Sequence, residues 1–235
     1  MGMFDFVSKV GAKLGIDYFE KKEELKKVAV ETERVAQEQA LNEQVAAQLM
    51  AEAKNLNLGI DGFGVRVDAG GVVFLSGTAP SQAAKEKAVI FVGNHQGVEK
   101  VNDDGLSVVV PEPPGVLHRV AKGDTLSLIA KKYYGVIMAY PAIAEANAQL
   151  VKNVDQIEID WVIRVPPLAA WKYTTKAGDT LGAIAKTMYG DVKLYPKIFE
   201  ASKDVMTNAD VVKPGMALTI PVLHALPATG NVMVG

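Results

Sequence analysis

Residues 173–181 read Tyr-Thr-Thr-Lys-Ala-Gly-Asp-Thr-Leu, and residues 118–126 read His-Arg-Val-Ala-Lys-Gly-Asp-Thr-Leu. The shared ending belongs to a longer repeat, because residues 118–166 align with residues 173–221 without a gap. Both copies close on an apolar alternation followed by proline, Ile163-Arg164-Val165-Pro166 and Leu218-Thr219-Ile220-Pro221. Self-similarity over this length predicts two copies of one supersecondary unit.

Each copy predicts a strand, two helices and a closing strand. In the second copy the first strand ends at the Gly178 turn, and Asp179 or Thr180 caps the helix that follows. That helix ends at Gly190, since glycine readily adopts the left-handed conformation of a helix C-terminus. Residues 213–215, Lys-Pro-Gly, then turn the chain into the closing strand. The repeat therefore predicts two small α+β units.

The first 110 residues predict a further α+β domain with a helical lead-in. An apolar spacing of four and three predicts a short amphipathic helix that contains Met3, Val7, Val10 and Leu14. Residues 20–54 lack Gly and Pro and favour helix. A hairpin over residues 65–75 and a helix capped by Ser81 follow.

Composition and motifs argue against several classes of function. The formal net charge is −2, without the basic excess of a nucleic-acid binder. The chain has no cysteine, which excludes disulfides and thiol catalysis. His95, His118 and His224 lie in different modules without a second ligand at metal spacing. No nucleophile elbow or zinc-protease helix is present, so we expect a protein that is not an enzyme.

The N-terminus does not resemble a secretory signal, because charged residues interrupt its apolar pattern. The longest apolar runs are also far too short to span a membrane. We therefore expect a cytoplasmic protein.

The two copies resemble LysM modules, the βααβ units that bind N-acetylglucosamine polymers such as peptidoglycan. The second copy matches this pattern well, whereas the first has Ile157-Glu158-Ile159-Asp160-Trp161 in place of the Pro-Gly turn. The resemblance implies a shallow glycan groove in the second copy. Its two sides would be formed by Gly178, Asp179, Thr180 and Leu181, and by Ala209, Asp210, Val211 and Val212.

Residues 35–110 resemble a BON domain. Two segments carry the resemblance: Val73-Phe74-Leu75-Ser76-Gly77-Thr78 and Gly97-Val98-Glu99-Lys100-Val101-Asn102-Asp103. Together with the opening Met1-Gly2-Met3-Phe4-Asp5-Phe6-Val7 and a LysM module, this part is similar to a family of small cytoplasmic potassium-binding proteins of bacteria. The resemblance implies a K⁺ binder that changes shape when the ion is bound. This chain differs by an additional LysM repeat and a longer helical insert.

The residues themselves are compatible with a K⁺ site. K⁺ is held by several neutral carbonyl oxygens, and the helix that ends near residue 92 leaves unpaired carbonyls at its negative end. The loop after this helix contains glycines and no carboxylates, which argues against Ca²⁺ or Mg²⁺. The expected ligands are the main-chain carbonyls of Val7, Val10, Gly93, His95 and Gly97.

The predicted architecture is α+β and multi-domain, with N-terminal helices and a BON-like α/β sandwich before two LysM βααβ modules. The expected segments are a helical N-terminal segment at 1–34, a BON-like domain at 35–110, a proline-rich linker at 111–117, a degenerate LysM repeat at 118–166, a second linker at 167–172, a second LysM repeat at 173–222 and a flexible tail at 223–235. Two alternatives to K⁺ binding remain open at this point: binding of peptidoglycan, and a scaffold role that uses LysM modules for packing.

Overall fold

The structure, a computed structural model, describes residues 2–7, 9–28 and 30–226. Its N-terminal half is a four-stranded sheet covered by helices. The strands are β1 (Met3–Asp5), β2 (Asp61–Val67), β3 (Val72–Ser81) and β4 (Lys100–Val110), and the helices are α1 (Tyr18–Leu25), α2 (Glu31–Lys54) and α3 (Gln82–Gly93). The order of strands in the sheet is β1-β4-β3-β2.

Strands β2 and β3 form the predicted antiparallel hairpin, and α3 connects β3 to its parallel neighbour β4. As predicted, Ser81 caps α3, since its Oγ accepts a hydrogen bond of 3.2 Å from the Ala84 N–H. The helices bury Val45 and Leu49 of α2 and Val92 of α3 in one core with the sheet. The core therefore fixes the position at which α3 ends and the loop to β4 begins.

The prediction of a helix at the N-terminus is wrong. Residues Met3–Asp5 form β1, which pairs antiparallel with β4. The buried side chains are Phe4 and Phe6, while Met3 is 44% exposed. Burial at every second residue is the pattern of a strand, and it outweighs the helical spacing of Met3 and Val7 because both phenylalanines enter the core.

The C-terminal half consists of two βααβ modules, as the repeat predicts. The first contains β5 (Val116–Arg119), α4 (Leu126–Tyr134), α5 (Tyr140–Ala146) and β6 (Val162–Val165), and the second contains β7 (Ala170–Thr174), α6 (Leu181–Tyr189), α7 (Tyr195–Ala201) and β8 (Ala217–Pro221). Thr180 caps α6 through Ala183 N–H, and Gly190 ends this helix with a left-handed φ of 81°. The predicted α+β, multi-domain fold class is confirmed.

The first module keeps the turn before its last strand although it lacks the Pro-Gly sequence. Asp160 has a φ of 70°, and Gly215 at the equivalent place in the second module has a φ of 86°. The N–H of Asp160 donates to Val120 O at 2.8 Å, as Gly215 N–H donates to Thr175 O at 2.8 Å. Aspartate is one of the few residues besides glycine that adopt this conformation, so the substitution preserves the backbone.

The two modules share one hydrophobic core. Leu126 and Ile129 of the first module belong to the same buried cluster as Leu181 and Met188 of the second. Beyond β8, the N–H of Leu223 donates to Tyr134 O at 2.7 Å. The two modules are therefore joined as a single body.

The start of the expected flexible tail does not behave as predicted. Leu223 and Leu226 pack against the shared core because their apolar side chains find a buried surface there. Residues 227–235 of that predicted tail lie outside the described residues.

The first module also docks onto the N-terminal domain. Leu117 and Val162 are fully buried in the core of that domain. Beside them, Arg164 Nε donates to Glu86 Oε2 at 2.5 Å, and both side chains are at least 93% buried. Glu86 Oε1 also accepts a hydrogen bond of 2.9 Å from the Gly115 N–H. Burial of this pair requires both partners, since a lone buried charge is costly.

Replacing Arg164 by threonine, the residue at the equivalent position 219 of the second module, should therefore lower the free energy of unfolding by about 3–5 kcal/mol. The double variant Arg164→Thr, Glu86→Gln should lose less, because no uncompensated charge remains. Urea denaturation followed by circular dichroism measures both, and equal losses in the two variants would contradict the prediction.

Candidate functional site

Two segments meet next to the end of α3: residues 6–7 with 9–12, after β1, and residues 93–99, between α3 and β4. At one end Phe6 N–H donates to Glu99 O at 2.7 Å. At the other end Ala12 N–H donates to Asn94 O at 2.8 Å, and Gln96 N–H donates to Ala12 O at 2.9 Å. Phe6 and Ala12 are therefore both held against the loop that follows α3.

Three glycines allow this close approach. A Cβ on Gly11, which has a φ of 106°, would lie 1.8 Å from Asn94 O. A Cβ on Gly93 would lie 2.0 Å from the Phe6 ring, and one on Gly97 would lie 2.5 Å from the Tyr18 ring. Since no side chain fits at these distances, Gly11 and Gly93 are required by the contact between the two segments, and Gly97 is required by the contact of the loop with α1.

The carbonyls predicted as K⁺ ligands differ in their hydrogen bonding. Val7 O accepts a bond of 3.1 Å from Val10 N–H, and His95 O accepts one of 3.1 Å from Val98 N–H. Within the described residues, no hydrogen bond reaches the carbonyl oxygens of Val10, Gly93 and Gly97. A carbonyl oxygen that accepts one hydrogen bond keeps a second lone pair, so all five oxygens still have a lone pair with which to bind a cation.

The side chains around the loop do not form a conventional metal centre. His95 is 2% exposed, and its ring nitrogens lie 2.7 Å from Phe91 O and 3.3 Å from Glu52 Oε2. In the part of the chain that the structure describes, no group of three or more His, Cys, Asp or Glu residues is arranged to hold a metal.

Asn94 is a residue of this site that sequence reasoning missed. Its side chain crosses to the first LysM module, where Nδ2 donates to Val162 O at 2.8 Å and Oδ1 accepts from Val162 N–H at 2.9 Å. The pairing joins residues far apart in sequence and has no local signal. The only hint is a polar residue at the end of an apolar helix.

The predicted glycan groove keeps its local turn. Asp179 Oδ2 accepts hydrogen bonds from Lys176 N–H at 2.7 Å and from the Tyr173 hydroxyl at 2.9 Å. Leu181 lies in the core, 2% exposed, whereas Gly178 and Thr180 are on the surface. On the predicted opposite side, Asp210 and Val211 are exposed, and Ala209 and Val212 pack partly against the core.

The first module has the same turn with a different partner. Asp124 Oδ2 accepts from Ala121 N–H at 2.9 Å and lies 2.8 Å from His118 Nε2, which takes the place of the Tyr173 hydroxyl. Burial opposes the charged form of Asp124, but these two hydrogen bonds, together with the charges of His118 and Lys132, outweigh it and lower the pKa of this carboxyl. The Gly-Asp-Thr turn is thus structural in both copies.

Comparison with known proteins agrees with this architecture. Residues 37–109 match the BON domain family, and residues 118–166 and 173–221 match the LysM domain family. The potassium binding protein Kbp of Escherichia coli O6:H1 is 31% identical over 166 residues, which cover 71% of this chain and 99% of the relative. The chain belongs to the Kbp family.

Other similarities cover smaller parts of longer proteins. An esterase of Mycobacterium tuberculosis is 36% identical over 104 residues, and this chain spans only 22% of the esterase. A solved structure, the spore cortex-lytic enzyme SleL of Bacillus megaterium QM B1551, has 26% identity over 46% of this chain and 23% of its own, with a TM-score of 0.20. BON and LysM are binding domains rather than catalytic ones.

None of the helices in the described ranges is long and apolar enough to cross a membrane.

Changing Gly11 to alanine should separate the two segments of the site, because the new methyl group would collide with Asn94 O. We expect the amide protons of Ala12 and Gln96 to exchange with solvent at least about tenfold faster, as local opening removes their hydrogen bonds. Hydrogen exchange measured by NMR tests this. Gly178→Ala is the matched control, since its φ is also positive, 86°, but nothing lies within 4 Å. Unchanged exchange in Gly11→Ala would contradict the assignment.

Proposed function

We propose that this protein is a non-enzymatic K⁺-binding protein that holds the ion with main-chain carbonyls of its BON domain and N-terminal segment. The observation that carries the proposal is the set of three carbonyls, at Val10, Gly93 and Gly97, that accept no hydrogen bond within the described residues. They belong to two segments that are hydrogen-bonded to each other at both ends. Sequence similarity to Kbp, which is named for potassium binding, supports K⁺ as the ligand.

The chemistry of this region suits K⁺ better than a smaller cation. K⁺ is large and is held by several neutral oxygens that replace its hydration shell. Gly93 is the last residue of α3, so its carbonyl lies at the negative end of the helix dipole. Ca²⁺ and Mg²⁺ are usually held by carboxylates, and residues 93–98 contain none.

A conformational response follows from the division of the ligands between two segments. An ion that binds Val7 and Val10 on one side and Gly93, His95 and Gly97 on the other strengthens the contact between the segments. Without the ion, the contact is held by the hydrogen bonds at Phe6 and Ala12 and by packing of the Phe6 ring against Gly93. The ion therefore favours the closed arrangement by the difference in its affinity for the two states. We place this function in the cytoplasm, where K⁺ is abundant.

A second function is favoured by the LysM modules. Their Gly-Asp-Thr turns lie at the surface in both copies, and neither turn is covered by the BON domain: Gly123 and Gly178 have no atom within 4 Å of a Cβ position. Binding of peptidoglycan or another N-acetylglucosamine polymer is therefore compatible with K⁺ binding in the same chain.

Calorimetric titration should show saturable binding of KCl and much weaker binding of NaCl at constant ionic strength. Small-angle scattering should show a smaller radius of gyration in KCl than in choline chloride. Equal responses to K⁺ and Na⁺, or no response to either, would contradict the proposal.

Sedimentation with purified cell-wall sacculi tests the second function. If the groove of the second module binds glycan, Val211→Glu should reduce co-sedimentation, because Val211 is 48% exposed and lies on one side of the predicted groove. Val205→Glu is the matched control, 40% exposed in the same module but outside the predicted groove. Failure of the wild-type protein to sediment would eliminate this function and leave K⁺ binding unaffected.

A further inference from the structure

Strand β4 has one edge that is only partly covered. β1 pairs with the first residues of β4, Lys100–Asn102, and ends there. On the other side, β4 stays paired with β3 as far as Val110. Among the described residues, no strand lies beside the last part of β4 on the side of β1. Residues 106–110 therefore form an open edge of the sheet.

Every second residue of the open edge directs its main-chain groups away from β3. Leu106 is one of them, since its carbonyl oxygen accepts a hydrogen bond of 2.7 Å from Lys85 Nζ. The ladder with β3 has no bulge in this part, so the alternation continues through Val108 to Val110. No hydrogen bond to the outward groups of these two valines occurs within the part of the chain that the structure describes. Two N–H and two C=O groups are therefore available to another strand.

The side chains of the open edge are apolar and exposed. Val109 is 64% exposed, more than any other large apolar residue that the structure describes, and Val110 is 53% exposed. No charged residue occurs between Asp104 and Glu112. Natural proteins usually protect a sheet edge with charges, and an apolar edge without them pairs readily with a further strand. β-Branched residues such as valine also favour the strand conformation.

We propose that the open edge pairs with the open edge of a second copy of this chain, in a two-fold antiparallel arrangement. Val109 then faces Val109 of the second copy. Val108 exchanges two main-chain hydrogen bonds with Val110 of the second copy, and the symmetry supplies two more. All four free main-chain groups are paired in this way, and the two sheets join as one sheet of eight strands. The valine side chains at the centre leave water together.

Charge at the two ends of the edge favours this register and an identical partner. With Val109 at the centre, Glu112 of one copy lies opposite Leu106 of the other, whose carbonyl binds the Lys85 ammonium. Moving the centre by one residue toward the N-terminus would place Glu112 opposite Asp104 instead, and like charges directly across a ladder are destabilising. The edge is thus complementary to itself, which is what a two-fold contact requires. Because the contact is small, the dimer should be weak and reversible.

A disulfide tests the predicted register directly, because the chain has no cysteine of its own. In the dimer, the Cα atoms of residue 109 in the two copies are about 4.5 Å apart, within the range that a disulfide spans. Val109→Cys should therefore form a covalent dimer on mild oxidation, seen by non-reducing gel electrophoresis. Val205→Cys, at a position 40% exposed in the second LysM module, is the matched control and should stay monomeric. Equal cross-linking of the two variants would contradict the proposal.

A charge exchange tests the contact without a covalent bond. In sedimentation equilibrium the wild-type mass should rise with concentration from the monomer toward the dimer. Val109→Lys and Val109→Glu should each remain monomeric, because like charges would face each other across the two-fold axis. An equimolar mixture of the two should associate again, since lysine then faces glutamate. Restored association also shows that both variants are folded. Val205→Lys should dimerise like the wild type.

The outcomes are independent of the proposed K⁺ site. A wild-type protein that stays monomeric over the whole concentration range, in KCl and in choline chloride, overturns the dimer and leaves K⁺ binding unaffected. A dimer that survives Val109→Lys would use another surface and would also overturn it. A mixture of the two charged variants that stays monomeric would contradict the pairing of Val109 with itself.

Discussion

The arrangement of the modules depends on a buried asparagine that completes the edge of a strand in another domain. Asn94 is 6% exposed, and its amide satisfies both main-chain groups of Val162 while its own carbonyl accepts from Ala12. A buried main-chain group without a partner costs about 1–3 kcal/mol, so the strand, the loop and the N-terminal segment constrain one another. Asn94 thus connects three separate parts of the chain through its side chain and its main-chain carbonyl.

The interface around Asn94 combines two kinds of contact. Leu117 and Val162 contribute apolar burial that favours association without defining its geometry. The Glu86–Arg164 pair and the Asn94 amide require particular orientations, because a displaced charge or amide would remain buried without a partner. The apolar contacts thus hold the module near the domain, and the polar ones select a single docked position.

Most of the fold was predictable because it is encoded locally. The repeat, the glycine turns and the caps at Ser81 and Thr180 depend on residues close in sequence, and the structure confirms them. The N-terminal strand was not predictable, since its apolar spacing suits a helix and only pairing with β4 turns Phe4 into the core. The candidate ligands were chosen from chemistry and resemblance. The part played by Asn94 was hidden, because it depends on contact with a module almost seventy residues away.

Two side-chain amides form hydrogen bonds with the outer edge of β6, one from the first LysM module and one from the BON domain. Asn147 covers Arg164 from within the module, and Asn94 covers Val162 from outside it. Exposed strand edges recruit other chains, and an amide cap blocks such growth because it ends the ladder without continuing it. Asn94 belongs to the BON domain, so its amide covers Val162 only when the module is docked. If the module were not docked, the main-chain groups of Val162 would be exposed at this edge. Another chain could then pair with them, so docking protects the protein against self-association through β6.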